Sequence, residues 1–186
     1  MTQECIADQL GVTMDELLPL NCKISVFHSA IATFLAPSDP SGLHGMWCER
    51  IRSTPSWRGH EPRRDCAFVV EDETKEGMMG LAVVRVNLLF SFNFKEVYYP
   101  CALVDWFKRE RWDPVTRMWV VKPDTTHGRQ DKSVIHLDTF LRAAHLIPVY
   151  GKKRMPLDLH FSHSLDVFEA FYVNKYIDHH ANDILH

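Results

Sequence analysis

The sequence lacks the features that mark the best-known classes of membrane protein and enzyme. Its apolar stretches are far shorter than the ~20 residues that cross a bilayer, so we expect no membrane partner. It has only eight glycines, and none belongs to a Gly-x-x-x-x-Gly-Lys-[Ser/Thr] phosphate loop. The nucleophile motif Gly-x-Ser-x-Gly is absent, and the cysteines and histidines carry no thiol-protease signature. We therefore predict no catalytic residues and no cofactor.

Paired cysteines and a secretion signal are also missing. The five cysteines lie at wide intervals without any Cys-x-x-Cys, which argues against a zinc ribbon or a thioredoxin-type site. Free thiols are typical of a reducing compartment. The first residues, MTQECIADQL, are acidic where a signal peptide needs lysine or arginine. We expect a soluble intracellular protein, with the nucleus as a candidate location if the partner is DNA.

The chain has no large excess of one charge. Lysine and arginine number 21 against 24 acidic residues, a net charge of −3 that excludes a uniformly basic DNA binder of the histone kind. The 186 residues, of which 46% are hydrophobic, fit one globular domain. We divide the chain into an N-terminal extension, residues 1–21, with a short helix starting at Thr13, and a single β-rich domain, residues 22–186.

The centre of the chain has the residue types and alternation of β-strands. The predicted strands are 24–35, 66–71, 81–92, 97–107, 118–121 and 134–137. In the third strand, one face is predicted to hold Val84, Val86, Leu88, Phe90 and Phe92. Residues 93–96 are short enough for a hairpin, and Pro100 suits a bulge or an edge. Strands in succession without long helices predict an antiparallel meander.

Helices are expected mainly after the strands. Asp138 can cap a short helical segment over 139–145. Near the C-terminus a three-and-four spacing predicts one amphipathic helix, with a stripe of Leu165, Phe168, Tyr172, Tyr176 and His179. The predicted fold class is therefore α+β: a twisted antiparallel sheet or small SH3-like barrel from about Cys22 to Leu137, packed by C-terminal helices.

A basic, tryptophan-bearing stretch between residues 45 and 65 is the strongest candidate site, and we predict it to be a long loop with at most a short strand. Arginine beside aromatic rings can pair with phosphates and stack on bases. The candidate nucleic-acid-binding residues are Arg50, Arg52, Trp57, Arg58, Arg63 and Arg64. Two readings stay open beside DNA: contact with a protein partner or self-association, and tryptophans that only anchor the loop while the arginines are solvated.

Two further basic groups accompany this stretch. One consists of Lys108, Arg109, Arg111 and Arg117 beside Trp106 and Trp112, and the other is Lys152-Lys153-Arg154.

Eleven histidines raise the alternative of a metal-dependent hydrolase. The candidate ligands near the C-terminus are His160, His163 and Asp166, and then His179, His180, Asp183 and His186. Zinc motifs place two histidines four apart on a helix or use two ligand pairs at fixed spacing, and neither group does so. We predict no metal site and keep the hydrolase as the alternative hypothesis.

Several long strings resemble a known family. "GMWCERIRSTPSWRGHEPRRDC", "YPCALVDWF", "MWVVKPD", "VIHLDTFLRAAHLIPVYG" and "FYVNKYIDHHANDI" are similar to the C-terminal region of proteins encoded by Plavaka-type DNA transposons of fungi. The resemblance covers residues from about 20 to 184. It implies that a full-length relative has an RNase-H-like catalytic domain upstream, which this chain, as a transposase fragment, lacks. No catalytic residue is carried over.

More loosely, the short strands and the turn at "HLDTFLRAAHLIPVYG" are similar to the SH3-like barrels of bromo-adjacent-homology chromatin readers, a likeness of fold that implies no function. The favoured hypothesis is a non-catalytic module that binds DNA or assembles protein partners.

Overall fold

The computed structural model describes residues 23–37, 44–150 and 159–186, so the predicted helix at Thr13 lies outside the described residues. The strands are β1 (Ser25–Phe27), β2 (Ser29–Leu35), β3 (Met46–Thr54), β4 (Arg63–Arg64), β5 (Cys66–Val70), β6 (Leu81–Phe94), β7 (Val97–Asp113), β8 (Met118–Pro123), β9 (Thr125–Thr126), β10 (Arg129–Gln130), β11 (Lys132–His136), β12 (Phe140–Ala144), β13 (Leu146–Pro148) and β14 (Phe171–Val173). Two short α-helices are α1 (Ser164–Val167) and α2 (His179–Ile184).

The main sheet curls into a nearly closed barrel. Its strands run in the order β12-β5-β6-β7-β8-β14-β13, and every pairing is antiparallel. Because β12 and β13 are separated by His145 alone, one chain segment pairs with both ends of the sheet. This segment, residues 140–148, closes the barrel. The antiparallel meander and the small barrel expected from the sequence are thus confirmed.

The β6–β7 hairpin is the longest element and extends beyond the barrel. Phe94 pairs with Val97, and both residues between them have positive φ, 47° at Lys95 and 64° at Glu96, as a two-residue hairpin turn requires. Strands β1 and β11 flank this extension by pairing with β6 and β7. Pro100 lies just beyond the last residue that β11 pairs, where its missing N–H costs nothing on that side.

A bulge in β6 corrects the predicted single face of that strand. The register with β7 shifts between Val86 and Leu88, so side chains beyond this point change sides. Val84 and Val86 pack in one core cluster, whereas Phe90 and Phe92 pack in another. The five residues expected on one face therefore serve two faces of the sheet.

A second, three-stranded sheet, β2-β3-β4, corrects the prediction of a long loop over residues 45–65. Strand β3 is nine residues long and pairs along its length with β2. The sequence of β3 does alternate. Ile51 and Ser53 are buried on one side of the strand, and arginines point outward on the other side. Because polar and apolar residues share the inner side, the pattern does not read as an amphipathic strand.

The C-terminal helices are much smaller than predicted, and an α+β class is not confirmed. The predicted single helix over residues 165–179 is divided into α1, strand β14 and α2. Strand β14 pairs with β8 on one side and β13 on the other, and Phe171 and Val173 fill the barrel core. The segment predicted as helical over 139–145 is mostly β12, which pairs with β5. Tertiary pairing at the barrel seam overrides the local helical spacing.

Three clusters of buried side chains hold the fold together. Two fill the barrel and the space under β2-β3, and the third stabilises the hairpin extension. Within the described residues, no helix is long and apolar enough to cross a membrane.

A buried arginine joins the barrel seam to the second sheet and to α2. Arg142 in β12 is 2% exposed and donates to Glu49 of β3 at 2.6 Å and to both carboxylate oxygens of Asp178 at 2.8 and 2.6 Å. Its guanidinium also lies 4.8 Å from the centroid of the Phe34 ring. Asp178 caps α2 by accepting from the backbone N–H of Ala181 at 2.7 Å. Three parts of the chain thus depend on one cation.

The protonation states of this cluster follow from its contacts. Burial tends to lower the pKa of Arg142, but the hydrogen bonds and charges of Asp178 and Glu49 outweigh it and raise that pKa. The hydrogen bond from Arg142 lowers the pKa of Asp178. Burial, followed by the positive charge of Arg142, lowers the pKa of His180, whose Nδ1 lies 3.1 Å from the guanidinium.

Arg142→Met tests the dependence on this cation. We expect the free energy of unfolding to fall by roughly 3 kcal/mol, because two partly buried carboxylates lose their counter-charge. The measurement is a urea titration. Arg129→Met, at an exposed hairpin position, is the matched control and should change stability by less than about 0.5 kcal/mol. Equal stability of the two variants would show that the cluster does not hold the seam.

The pH dependence of stability provides a second test. The pKa of His180 is lowered in the folded chain, so between its ordinary value of about 6.5 and the lowered value only the unfolded chain binds the proton. The folded state is therefore destabilised as the pH falls below about 6.5. This loss of stability is complete once the pH is below the pKa of His180 in the folded chain. Unfolding curves from pH 8 to pH 5, at about unit intervals, should show a shallower dependence for His180→Gln than for His127→Gln. Identical curves would contradict the assignment.

Candidate nucleic-acid interface

The turn that carries Trp57 connects β3 to β4. Trp57 donates its backbone N–H to the carbonyl of Glu61 at 3.1 Å and accepts from the N–H of His60 at 3.1 Å. Arg58 and Gly59 have positive φ, 54° and 80°, which tightens the loop. This local bonding fixes the position of the half-buried indole at the end of the β3-β4 ribbon.

Three guanidinium groups gather around that indole. The Cζ atoms of Arg52, Arg63 and Arg58 lie 4.7, 4.9 and 5.5 Å from the ring centroid of Trp57. Contacts of this kind are cation–π interactions, and three of them must share the two faces of one ring. The sequence interpretation of Trp57 as an anchor and its interpretation as part of a cationic site are therefore compatible.

One carboxylate organises this group without neutralising it. Asp65 accepts from Nε of Arg63 at 2.7 Å and from the backbone N–H of Arg52 at 2.9 Å. Arg50 donates to the hydroxyl of Ser29 at 2.9 Å. Among the described residues, no carboxylate pairs with the guanidinium groups of Arg50, Arg52, Arg58 and Arg64.

Strand alternation separates the six predicted residues into two sides. Thr54 pairs with Arg63 and Ser53 pairs with Arg64, and directly paired residues of antiparallel strands point the same way. Arg63 therefore shares the outer face of the ribbon with Arg50 and Arg52, whereas Arg64 lies on the inner side with buried Ser53. We call the first side the outer basic face, formed by Arg50, Arg52, Arg58 and Arg63 around Trp57.

A cleft beside the ribbon, which we call the ribbon cleft, is bordered by Arg64 of the inner side and also by Trp57, Arg58 and Arg63 of the outer basic face. Its volume is about 430 Å³. The lining residues are Trp57, Arg58, His60, Glu61, Pro62, Arg63, Arg64, Arg85, Ser162, Ser164 and Leu165. Arg64 also borders two adjoining clefts, so it stands where three depressions of the surface meet.

Arg85 is a charged residue of this region that the sequence hypothesis did not include. It lies on β6 and pairs with both oxygens of Asp166 at 2.5 and 3.3 Å. The sequence signal is the alternation of Arg85 and Asn87 within an otherwise apolar strand, which marks the wetter face. Its closeness to Arg64 follows from the β3-β4 ribbon folding over the sheet, which no local pattern indicates.

Two of the four cations of the second basic group, Arg109 and Arg111, have acidic partners. Arg111 lies 3.4 Å and Lys122 lies 3.0 Å from the Glu110 carboxylate, and Arg109 lies 3.8 Å from that of Glu71. Trp106 donates to the hydroxyl of Ser133 at 2.6 Å, and this hydrogen bond links β7 to β11. This group is less suited to an external anion. The third group, Lys152-Lys153-Arg154, lies outside the described residues.

The histidines of the alternative hypothesis are used in other ways. His160 bonds to Ser162 at 2.8 Å, His180 belongs to the Arg142 cluster, and His186 bonds to the carbonyl of Asn182 at 2.7 Å. Across the described ranges, no three side chains of His, Cys, Asp or Glu come together as a possible metal site.

The buried thiols are held in the protonated form. Burial raises the pKa of Cys66 to about 12 and that of Cys101 to about 11, so the thiolate is scarce at neutral pH. Cys48 is exposed on the outer side of β3 and lies 3.4 Å from the hydroxyl of Thr33.

No family model matches the chain, and no curated protein or solved structure matches it either.

Trp57→Ala tests how much the fold depends on the turn. We expect a loss of about 1–2 kcal/mol in the free energy of unfolding, because half-exposed cation–π contacts are weak and the indole lies outside the three core clusters. Phe171→Ala, which empties a fully buried site, should cost about 3–5 kcal/mol. Both values come from urea titrations. A Trp57→Ala loss as large as that of Phe171→Ala would make the indole a core residue.

Proposed function

We propose that this protein is a non-catalytic accessory module that contacts nucleic acid through its outer basic face. The observation that carries this proposal is the cluster of guanidinium groups around Trp57, of which, within the described residues, only that of Arg63 is paired with a carboxylate. Guanidinium groups without an internal counter-charge are free to pair with phosphate oxygens, often through two hydrogen bonds at once.

The arrangement favours the phosphate backbone over base edges. The arginines lie on a two-stranded ribbon and a turn, and not on a helix that could enter a groove. Phosphate contacts position a protein on nucleic acid but carry no sequence information. Binding of this kind is sequence-tolerant and falls steeply with salt, because each contact releases condensed counterions.

The rest of the molecule limits the strength of such binding. The net charge of the chain is −3, and Arg109 and Arg111 of the second basic group are already paired with acids. The local affinity is therefore modest and most useful beside a stronger DNA-binding element, where effective concentration multiplies the two affinities. That is the setting the resemblance to Plavaka-type transposon proteins implies, with a separate catalytic domain on the full-length relative.

A protein partner is the second candidate, and a specific observation favours it. Ile31, Leu35 and Met46 are exposed on the β2–β3 hairpin, and strand register puts Ile31 directly opposite Arg50. The outer basic face thus continues into an apolar strip. Exposed apolar side chains next to arginine are common at protein interfaces.

The salt dependence of DNA binding tests the favoured function. Arg50→Gln and Arg52→Gln should each lower the slope of log affinity against log salt on duplex DNA by about 0.9. Fluorescence anisotropy with a labelled random-sequence duplex measures this slope between about 20 and 200 mM salt. Arg129→Gln, an exposed arginine on another hairpin, is the matched control and should leave the slope unchanged.

A gain-of-charge variant tests the same face in the opposite direction. Asp65→Asn removes the carboxylate that holds Arg63, so one more guanidinium becomes free and the slope should rise by about 0.9. The variant should lose about 1–2 kcal/mol of stability because a charge-assisted hydrogen bond is weakened. No salt-dependent binding of the native chain at low ionic strength would reject nucleic acid and leave the protein-partner candidate.

A further inference from the structure

We propose that the ribbon cleft is a binding site for one nucleotide unit, that is, for an aromatic base joined to a phosphate. This site rests on the proposed function and deepens it, since the cleft shares Trp57, Arg58 and Arg63 with the outer basic face. The size of the cleft is appropriate. Its volume of about 430 Å³ lies within the range of small-molecule sites.

The charge of the lining selects an anion. Four arginines and one glutamate, Glu61, line the cleft. Two of the arginines have carboxylate partners, because Arg63 pairs with Asp65 and Arg85 pairs with Asp166. Arg58 and Arg64 have none among the described residues. Two uncompensated guanidinium groups match the charge of a phosphate monoester, which approaches −2 at neutral pH.

The remaining lining residues supply an apolar surface next to this charge. Trp57, Pro62 and Leu165 line the same cleft, so a flat base can contact apolar carbon while its phosphate reaches the arginines. Ser162 and Ser164 add hydroxyl groups on the side opposite the ribbon. An inorganic anion would use only the charged half of this site, and a nucleoside would use only the apolar half.

The position of Arg64 makes it the decisive residue. It lies on the inner side of the ribbon, opposite buried Ser53, and borders the ribbon cleft and both adjoining clefts. Arg50 lies two positions before Arg52 on the outer face and does not line the cleft. Arg64 therefore belongs to the ribbon cleft and not to the outer basic face, and Arg50 belongs to the outer basic face and not to the cleft.

Isothermal titration calorimetry on the full chain, at pH 7.5 and low salt, tests the site with five probes. These are adenosine 5′-monophosphate, adenosine, inorganic phosphate, and a short adenine oligonucleotide with or without a 5′-phosphate. We expect the monophosphate to bind at least about tenfold more tightly than adenosine or inorganic phosphate. The 5′-phosphorylated strand should bind more tightly than the unphosphorylated one. If the 5′-phosphorylated oligonucleotide binds more tightly than the free monophosphate, the natural ligand is the end of a nucleic-acid strand. If the two affinities are equal, the natural ligand is a free nucleotide.

Matched variants locate the site. Arg64→Gln should weaken monophosphate binding by about tenfold, while Arg50→Gln should leave it unchanged. Thermal unfolding should show both variants folded, because Arg50 and Arg64 are exposed. Equal affinity for inorganic phosphate and the monophosphate would overturn the proposal, as would equal weakening by the two variants. If the chain binds the monophosphate but not duplex DNA, only the proposed role of the outer basic face is rejected. If it binds duplex DNA but not the monophosphate, only the proposed nucleotide site in the ribbon cleft is rejected.

Discussion

The pairing of Arg142 with Glu49 and Asp178 is the interaction on which the arrangement of the molecule depends. Arg142 belongs to the segment that closes the barrel, Glu49 to the second sheet, and Asp178 to the start of α2. A buried guanidinium is costly unless its donors are satisfied. Both terminal nitrogens of Arg142 donate to carboxylates, while its Nε has no hydrogen-bond partner among the described residues. Glu49 also accepts from the backbone N–H of Ala143 at 3.0 Å, so its carboxylate bridges β3 to β12. The second sheet is held where β3 can present its arginines.

The two arginine–carboxylate clusters, at Arg142 and at Trp57, differ in which charge is in excess. Glu49 and Asp178 together bind one guanidinium, whereas Asp65 lies among several. Around Arg142, two partly buried carboxylates face one guanidinium, which is itself buried. Around Trp57, one carboxylate faces several guanidinium groups, and the cluster is half exposed. Structural arginines are typically balanced by acids in the way that Arg142 is. The excess of cations at the ribbon is therefore a feature that folding alone does not require, and it is what makes this surface a candidate for an external anion.

The strands of the barrel could be predicted because their signal is local. Alternation and β-branched content marked 81–92, 97–107 and 134–137, and the short connection after Phe94 indicated the hairpin. The errors share another cause. Strand β3 mixes Glu49 and Ser53 with Ile51 on its inner side, since Glu49 is buried against an arginine that lies 93 positions away. Strand β14 has helical spacing around it, but its backbone pairs with β8 and β13. In both places long-range contacts decide the structure, and no local pattern contains them.

The candidate site shows the same division between local and long-range information. Arginine and tryptophan content marked residues 45–65 as a basic aromatic stretch, but the prediction treated six residues as one surface. The two-residue strand β4 divides these residues between two surfaces, because adjacent residues of a strand point to opposite sides. Arg63 therefore joins Trp57 and Asp65, while Arg64 lines the cleft together with Arg85. A nucleic-acid strand that contacts both sides must pass around the end of the ribbon at the Trp57 turn, so the indole and Arg58 lie where the two surfaces meet.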